Sequence, residues 1–424
     1  MTRETIRKEI LPNGITLLTE RMPHVRSVTL GVWLRRGSRH EPPGLNGASH
    51  FIEHLVFKGT ENRSAREIAL AVDAMGGQMD AFTSKEYTCF YAKVLDQSVP
   101  EAVDLLSDIV LRPLFDATEL ERERKVIVEE IRMVEDAPEE LVYDLFANHF
   151  YPRHALGRPI QGTEGTIRGL SRKRLLEYFR RIYVPENLLI VAAGNLEHAR
   201  LSRLVRQAFG GMKTGARRSA DAGRPRPRGG VVTRAKSELE QLHLLLGVPA
   251  FPERYAHRYP LFVLNALLGG TMSSRLFQKV REERGLAYSV YSAVNAFRDS
   301  GVMMVYAGTS PDKGDEVLAV VRDELRGLAS AGPSAREVEI AKEHLKGSLM
   351  LSLESTSSRM SNIARQQIYH GRTFTMAEIL GRLDRVTRAS VHGVAKLVFR
   401  PRTIVLAAVG RTRALRSVRA GLSL

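Results

Sequence analysis

Apolar residues recur along the chain with two different spacings, and each spacing predicts a different kind of element. Residues 10–18 hold two short apolar runs around Asn13-Gly14, which predicts two strands joined by a turn. Residues 27–34 alternate like a half-buried strand, whereas residues 118–135 carry an apolar stripe that predicts a long helix: Leu120, Ile127, Ile131 and Val134. Strands interspersed with helix pairs predict the α+β class, with layers of mixed or antiparallel sheet and helices on one face.

The pattern of the first half of the chain returns in the second half. Pro185 and Gly194 have counterparts 216 positions later in Pro401 and Gly410, and other segments repeat at nearly the same offset. A near-constant offset predicts two homologous halves, residues 1–210 and 235–424. The stretch between them, 211–234, is rich in Gly, Pro and Arg and predicts a linker.

Length, charge and cysteine content narrow the classes of protein that the sequence fits. A chain of 424 residues is too long for a single hydrophobic core. The formal net charge is +16, but the densest basic cluster, within the linker, has no interleaved aromatic residues, so no nucleic-acid binding is predicted. No apolar run is long enough to cross a membrane and no secretory signal is visible, which predicts a cytoplasmic protein. The single cysteine, Cys89, excludes an internal disulfide and a cysteine-based zinc site.

The segment His50-Phe51-Ile52-Glu53-His54 carries the strongest chemical signal in the chain. On a helix, His50 and His54 lie one turn apart on the same face, with Glu53 beside them. Two imidazoles at this spacing can hold Zn²⁺, and an adjacent carboxylate can take a proton from the water that zinc activates. The alternative is an ordinary core helix, because the residues around the motif are apolar. Buried histidines and a glutamate are costly unless something satisfies them, which favours the metal site.

A catalytic zinc needs a third protein ligand, and the helix predicted at 119–135 offers several acids. Glu123 and Glu130 lie seven residues apart on the edge of its apolar stripe, whereas Glu129 points towards solvent. Glu130 is therefore the predicted ligand and Glu123 a partner that orients one of the ligands. Without the histidine motif, the same helix would be interpreted as an amphipathic helix with salt-bridged flanks.

Several motifs together resemble the inverzincin metallopeptidases of the pitrilysin and mitochondrial processing peptidase family. They are the histidine motif with Glu130 following His54 by 76 positions, and the segments 76–88, 121–124, 154–159 and 274–288. The resemblance extends over nearly the whole chain. It implies one Zn²⁺ per chain, held by His50, His54 and Glu130, with Glu53 as general base.

The resemblance also implies how substrate is bound. A peptide is expected to add as a strand along Asp80, Ala81, Phe82 and Thr83. Arg281 and Tyr288 are expected to be presented by the second half across a closed chamber, as donors to a carbonyl oxygen gaining negative charge. The alternative is that both residues have a purely structural role, the arginine in a salt bridge and the tyrosine on a strand, packed against a core. Asp80 departs from the family pattern, which usually has Asn there, so the fine peptide preference is open, including a shift towards basic residues.

The function implied is a zinc endopeptidase that cuts peptides or unfolded segments. The length resembles shorter members of the family, which pair two chains, so we expect a homodimer or a heterodimer with a related subunit. The alternative function is a noncatalytic scaffold or partner subunit, as in family members that have lost the zinc motif. A scaffold has no physical reason to keep all three ligands and the base together.

Overall fold

Two mixed β-sheets, each covered by helices, make up the computed structural model, which describes residues 6–215, 223–399 and 403–415. Residues 216–222 of the predicted linker and Pro401 of the repeat lie outside the described residues. The chain forms two compact units. The first unit comprises 1–132, 159–222 and 352–373, and the second comprises 133–158, 223–351 and 374–424.

Among the described residues, the sheet of the first unit has six strands, in the order β1-β2-β6-β3-β5-β4. They are β1 (Ile6–Ile10), β2 (Thr16–Arg21), β3 (Ser27–Leu34), β4 (Gln78–Thr83), β5 (Thr88–Leu95) and β6 (Leu188–Gly194). Strands β2 and β6 run parallel and the other neighbours antiparallel. Strand β4 therefore lies at an edge, beside β5.

In the part of the chain that the structure describes, the sheet of the second unit has five strands, in the order β7-β11-β8-β10-β9. They are β7 (Gly230–Ala235), β8 (Leu242–Ala250), β9 (Ala287–Ala296), β10 (Gly301–Thr309) and β11 (Val405–Gly410). In this sheet β11 and β7 pair in parallel, and the other neighbouring strands pair antiparallel. Strand β7 begins within the stretch that the sequence predicts as a linker.

Fourteen α-helices are found among the described residues. Those before the linker are α1 (Ala48–Leu55), α2 (Ala65–Ala74), α3 (Val99–Leu111), α4 (Ala117–Asp136), α5 (Pro138–Phe150), α6 (Glu164–Arg168), α7 (Arg172–Ile182) and α8 (His198–Phe209). Those after it are α9 (Arg258–Asn265), α10 (Gly314–Ser330), α11 (Ala335–Ser352), α12 (Thr356–His370), α13 (Met376–Asp384) and α14 (Arg388–Val398). Within the described part of the chain, no helix is both long and apolar enough to cross a membrane.

Each sheet is covered by helices on both faces. On one face of each sheet, the covering helix comes from the half of the chain that builds the other sheet. Helix α12 packs on the first sheet, where Met360 and Ile363 contact the face that carries Trp33. Helix α5 packs on the second sheet, where Phe146 contacts the face that carries Tyr306. The α+β class and the mixed sheets are confirmed, but the expected restriction of helices to one face is wrong. For the same reason β3, predicted as half-buried, is buried along almost its whole length.

Candidate metal centre

Helix α1 is fixed at its N-terminus by a buried carboxylate. Gly47 precedes the helix with φ +93, and a side chain there would press on the carbonyl of Gln161. The carboxylate of Glu41 accepts the N–H of Gly47 at 2.8 Å and that of Ser49 at 2.7 Å, which satisfies donors that the helix leaves unpaired. Burial raises the pKa of Glu41, and these N–H donors oppose the rise. The cap and the buried residues Phe51, Ile52 and Leu55 hold the helix in place.

The structure brings together the three side chains proposed as zinc ligands. Glu130 Oε2 lies 3.7 Å from His50 Nε2 and 3.6 Å from His54 Nε2. Among the described residues, these three form the cluster of metal-ligating side chains whose ligand atoms lie within 4.8 Å of one another. Helix α4 thus contributes the carboxylate and α1 both imidazoles.

The arrangement fits a tetrahedral zinc. Ligands about 2.1 Å from such a metal are roughly 3.4 Å apart, close to the separations seen here. Burial, together with the neighbouring His54, lowers the pKa of His50 to about 4, so its imidazole is neutral at neutral pH and has a lone pair to offer. Two imidazoles and one carboxylate leave a fourth position open, which is typical of catalytic rather than structural zinc.

Glu123 lies behind His54, on the side away from Glu130. Its Oε2 is 3.0 Å from His54 Nδ1, and its Oε1 is 2.9 Å from Lys58 Nζ. A proton on Nδ1, donated to this carboxylate, leaves the Nε2 lone pair directed towards Glu130. Glu129, by contrast, is exposed and pairs with Arg132.

Glu53 lies beside the ligands, half-buried, with its carboxylate held by one hydroxyl. Thr83 Oγ1 donates a hydrogen bond of 2.5 Å to Glu53 Oε2. Burial raises the pKa of Glu53 to about 6, against the lowering effect of this hydrogen bond. A carboxylate with a pKa near 6 is well placed to accept a proton at neutral pH.

Residues Asp80 to Thr83 form the end of β4, an edge strand close to α1. Strand β4 pairs with β5, and its other backbone edge has no strand partner within the described ranges. Ala81 packs on the core below α1, whereas Phe82 packs on the opposite face against Trp33. Asp80 is exposed and accepts the N–H of Ala81. An open edge of this kind can accept another extended chain.

Arg281 and Tyr288 lie together in the second unit. Strand β9 is irregular at its start, because Gly308 pairs with Ser289 while Thr309 pairs with Ala287. Tyr288 is thus the extra residue of a β-bulge, and the residue is 78% exposed. The guanidinium of Arg281, in the π-helical segment Phe277–Glu282, lies 4.7 Å from the centroid of that ring.

Two residues that contact this region, Lys58 and Glu41, were not predicted from the sequence. Lys58 lies four residues after His54, and that spacing is the signal that could have suggested a contact near the same face. Glu41 reaches α1 across a loop, so no periodicity links it to the helix. Its role depends on the tertiary fold.

A His-x-x-Glu-His helix whose histidines meet a glutamate from a second helix defines the inverted class of zinc metallopeptidase site. Comparison with known proteins gives the family. Residues 16–164 match the family described as insulinase (peptidase family M16), and residues 169–345 match the peptidase M16 inactive domain.

Relatives match over most of the chain. It is 43% identical over 394 residues to the uncharacterized zinc protease YmxG of Bacillus subtilis, covering 93% of this chain and 96% of the relative. It is 35% identical to the mitochondrial-processing peptidase subunit beta of Blastocladiella emersonii, covering 96% of this chain and 88% of that relative. The crystal structure of a protease from Helicobacter pylori has a TM-score of 0.90 at 21% identity, covering 96% of this chain and 99% of that one. The chain therefore belongs to peptidase family M16, a family of zinc proteases.

Proposed function

We propose that the protein is a zinc-dependent endopeptidase that hydrolyses peptides or unfolded segments. The observation that carries the proposal is the meeting of His50 Nε2, His54 Nε2 and Glu130 Oε2 beside the carboxylate of Glu53. Membership of family M16 supports peptidase activity. The position of cleavage within a peptide, an enclosing chamber and the catalytic roles are the finer parts of the proposal.

Each residue of the centre has a proposed task. His50, His54 and Glu130 would hold one zinc ion per chain, and Glu123 would keep His54 in the tautomer that binds metal. Zinc, when bound, would polarise the scissile carbonyl and lower the pKa of water. Glu53 would accept the proton of the attacking water and pass it to the leaving amine.

The substrate would bind as an additional strand on β4. Its backbone would pair with the open edge at Asp80, Ala81, Phe82 and Thr83, which makes binding largely independent of side-chain sequence. Arg281 and Tyr288 would donate hydrogen bonds to the carbonyl oxygen as it gains negative charge. The linker at 211–234 would join the half that holds zinc to the half that carries this pair.

A second candidate function is that of a noncatalytic or partner subunit in a peptidase heterodimer. It is favoured by the relative from Blastocladiella emersonii, whose name describes a subunit. Homodimer, heterodimer and cytoplasmic location all stay predictions. The full set of ligands and Glu53 favours the catalytic function over the noncatalytic one.

The test compares Glu53→Gln with the native chain on a library of internally quenched peptides. We expect the variant to retain one zinc per chain by elemental analysis and to lose at least about 100-fold in kcat, because the proton acceptor is gone. Glu129→Gln removes an exposed carboxylate of α4 and should leave both values unchanged. Normal turnover by Glu53→Gln, or cleavage that survives complete removal of zinc by a chelator, would contradict the proposal.

A further inference from the structure

We infer that Thr83 is a positioning residue for the general base, and that its hydroxyl links the proposed peptide-binding strand to the carboxylate that moves the proton. The inference rests on the proposed function. It assigns the Thr83 side chain a task separate from backbone pairing with substrate.

The Thr83 hydroxyl is the hydrogen-bond donor that reaches Glu53. Its Oγ1 lies 2.5 Å from Glu53 Oε2, and no other hydrogen bond to the Glu53 side chain occurs among the described residues. Thr83 projects to the α1 face of the sheet, the same face as Ala81 two residues earlier. The contact therefore joins the end of β4 directly to the metal helix.

The neighbouring threonine leaves the Thr83 proton available for this contact. Thr88, directly opposite on β5, donates its own hydroxyl proton to the carbonyl of Arg36 at 3.2 Å. The two hydroxyl oxygens are 3.4 Å apart. A hydroxyl has one proton to donate, and the carboxylate is the stronger acceptor available to Thr83.

Fixing one carboxylate oxygen restricts the other. A glutamate side chain has three rotatable bonds, so a carboxylate without a partner samples several orientations. With Oε2 held by Thr83, Oε1 is the oxygen left to accept a proton from water at the metal centre. Misplacing a catalytic group by about 1 Å can cost on the order of 100-fold in rate. Loss of the hydroxyl should therefore affect the chemical step more than substrate binding.

The experiment uses the full-length zinc-loaded protein and three substitutions. Thr83→Val keeps the shape and removes the hydroxyl, Thr83→Ser keeps the hydroxyl, and Thr88→Val removes the adjacent hydroxyl as a matched control. We expect Thr83→Val to lower kcat on the order of tenfold or more, with KM and zinc content close to native values. Thr83→Ser should recover most of kcat, and Thr88→Val should lower the melting temperature but not kcat.

The outcomes separate the inference from the function on which it rests. Native kcat in Thr83→Val, or equal losses in Thr83→Ser and Thr83→Val, would overturn the inference and leave the peptidase intact. Absence of zinc-dependent cleavage by the native chain would overturn both. If Thr83→Val does not fold, Thr83→Ala supports the same comparison with Thr83→Ser.

Discussion

Three glutamates on α4 show how position on one helix determines the contacts of a carboxylate. Glu130 faces both imidazoles, Glu123 is buried against His54 and Lys58, and Glu129 points to solvent. The seven-residue spacing places Glu123 and Glu130 almost in line along the helix, two turns apart. Glu123 can therefore contact Nδ1 of His54, the imidazole whose Nε2 faces Glu130.

The first prediction concerns Glu123→Gln. The amide keeps the size of the side chain but loses the charge that favours a proton on His54 Nδ1, so the lone pair on Nε2 is no longer enforced. We expect the dissociation constant for zinc to rise about 10- to 100-fold, measured by competition with a chromogenic chelator. Glu129→Gln is the control on the same helix. Equal zinc affinities in the two variants would show that Glu123 does not support the ligand.

Contacts at the site differ in how far the sequence foretells them. Glu53 and the two histidines are neighbours on any helix with their spacing, so a local pattern suffices to place them together. Glu130 could be selected because it lies on the edge of an apolar stripe. The hydrogen bond from Thr83 to Glu53 and the cap from Glu41 join separate segments through the tertiary fold. No periodicity in the sequence records such contacts.

At the scale of elements, α12 packs on the first sheet in the same way as α5 packs on the second. Gly31 on β3 lies under Met360 of α12, and Gly247 on β8 lies under Phe146 of α5. The two glycines are 216 positions apart, the offset found for the repeat. In each sheet a missing side chain makes room for a helix residue, so the close packing follows from the duplicated sequence.

The second prediction tests this packing with Gly247→Ala. A methyl group there would overlap the ring of Phe146, which has little freedom to move because it is buried. We expect the free energy of unfolding to fall by about 1–3 kcal/mol, measured by urea denaturation. Gly327→Ala, within α10 and with open space around it, should instead raise stability by up to about 1 kcal/mol. If both variants were stabilised, the contact between α5 and the sheet would not be tight.

The third prediction concerns the start of α11, which is anchored by Glu337. Its carboxylate accepts the N–H of Ser334 at 2.6 Å and binds Arg275 through both oxygens, at 2.6 and 3.0 Å. Although burial acts to raise it, these hydrogen bonds lower the pKa of Glu337 to about 2 from an ordinary value of 4.5. Because the folded pKa is the lower one, the stabilisation is complete above about pH 4.5 and is lost as pH falls towards 2.

Glu337→Gln should therefore reduce stability at pH 7 and flatten its dependence on pH between about 4.5 and 2. Melting temperatures measured across that range test the expectation. Glu339→Gln serves as the control, because Glu339 is exposed on the same helix and pairs only with Lys342 among the described residues. If the melting temperature of Glu337→Gln fell with acid as steeply as that of the native chain, the Glu337 carboxylate would not be the group responsible.

At the scale of the whole molecule, the two compact units do not coincide with the two halves of the sequence, because each unit contains segments from both sides of the linker. The repeat offset reveals two homologous halves, but an apolar stripe on a helix does not identify the sheet that it covers. The sequence therefore could not show that α5 covers the sheet built after the linker, or that α12 covers the sheet built before it. Each sheet depends on a helix from the other side of the linker.

The fourth prediction follows from that exchange. A protease site inserted between Lys213 and Thr214 would allow the chain to be cut at an exposed part of the linker. We expect the two fragments to stay together on size-exclusion chromatography and to separate only in denaturant. Separation would expose apolar sheet residues such as Trp33 and Val191 in one fragment and Met304 and Val405 in the other, which is strongly unfavourable. The uncut insertion variant is the control for the insertion itself. Two fragments that elute separately, each folded by circular dichroism, would contradict the exchange of helices.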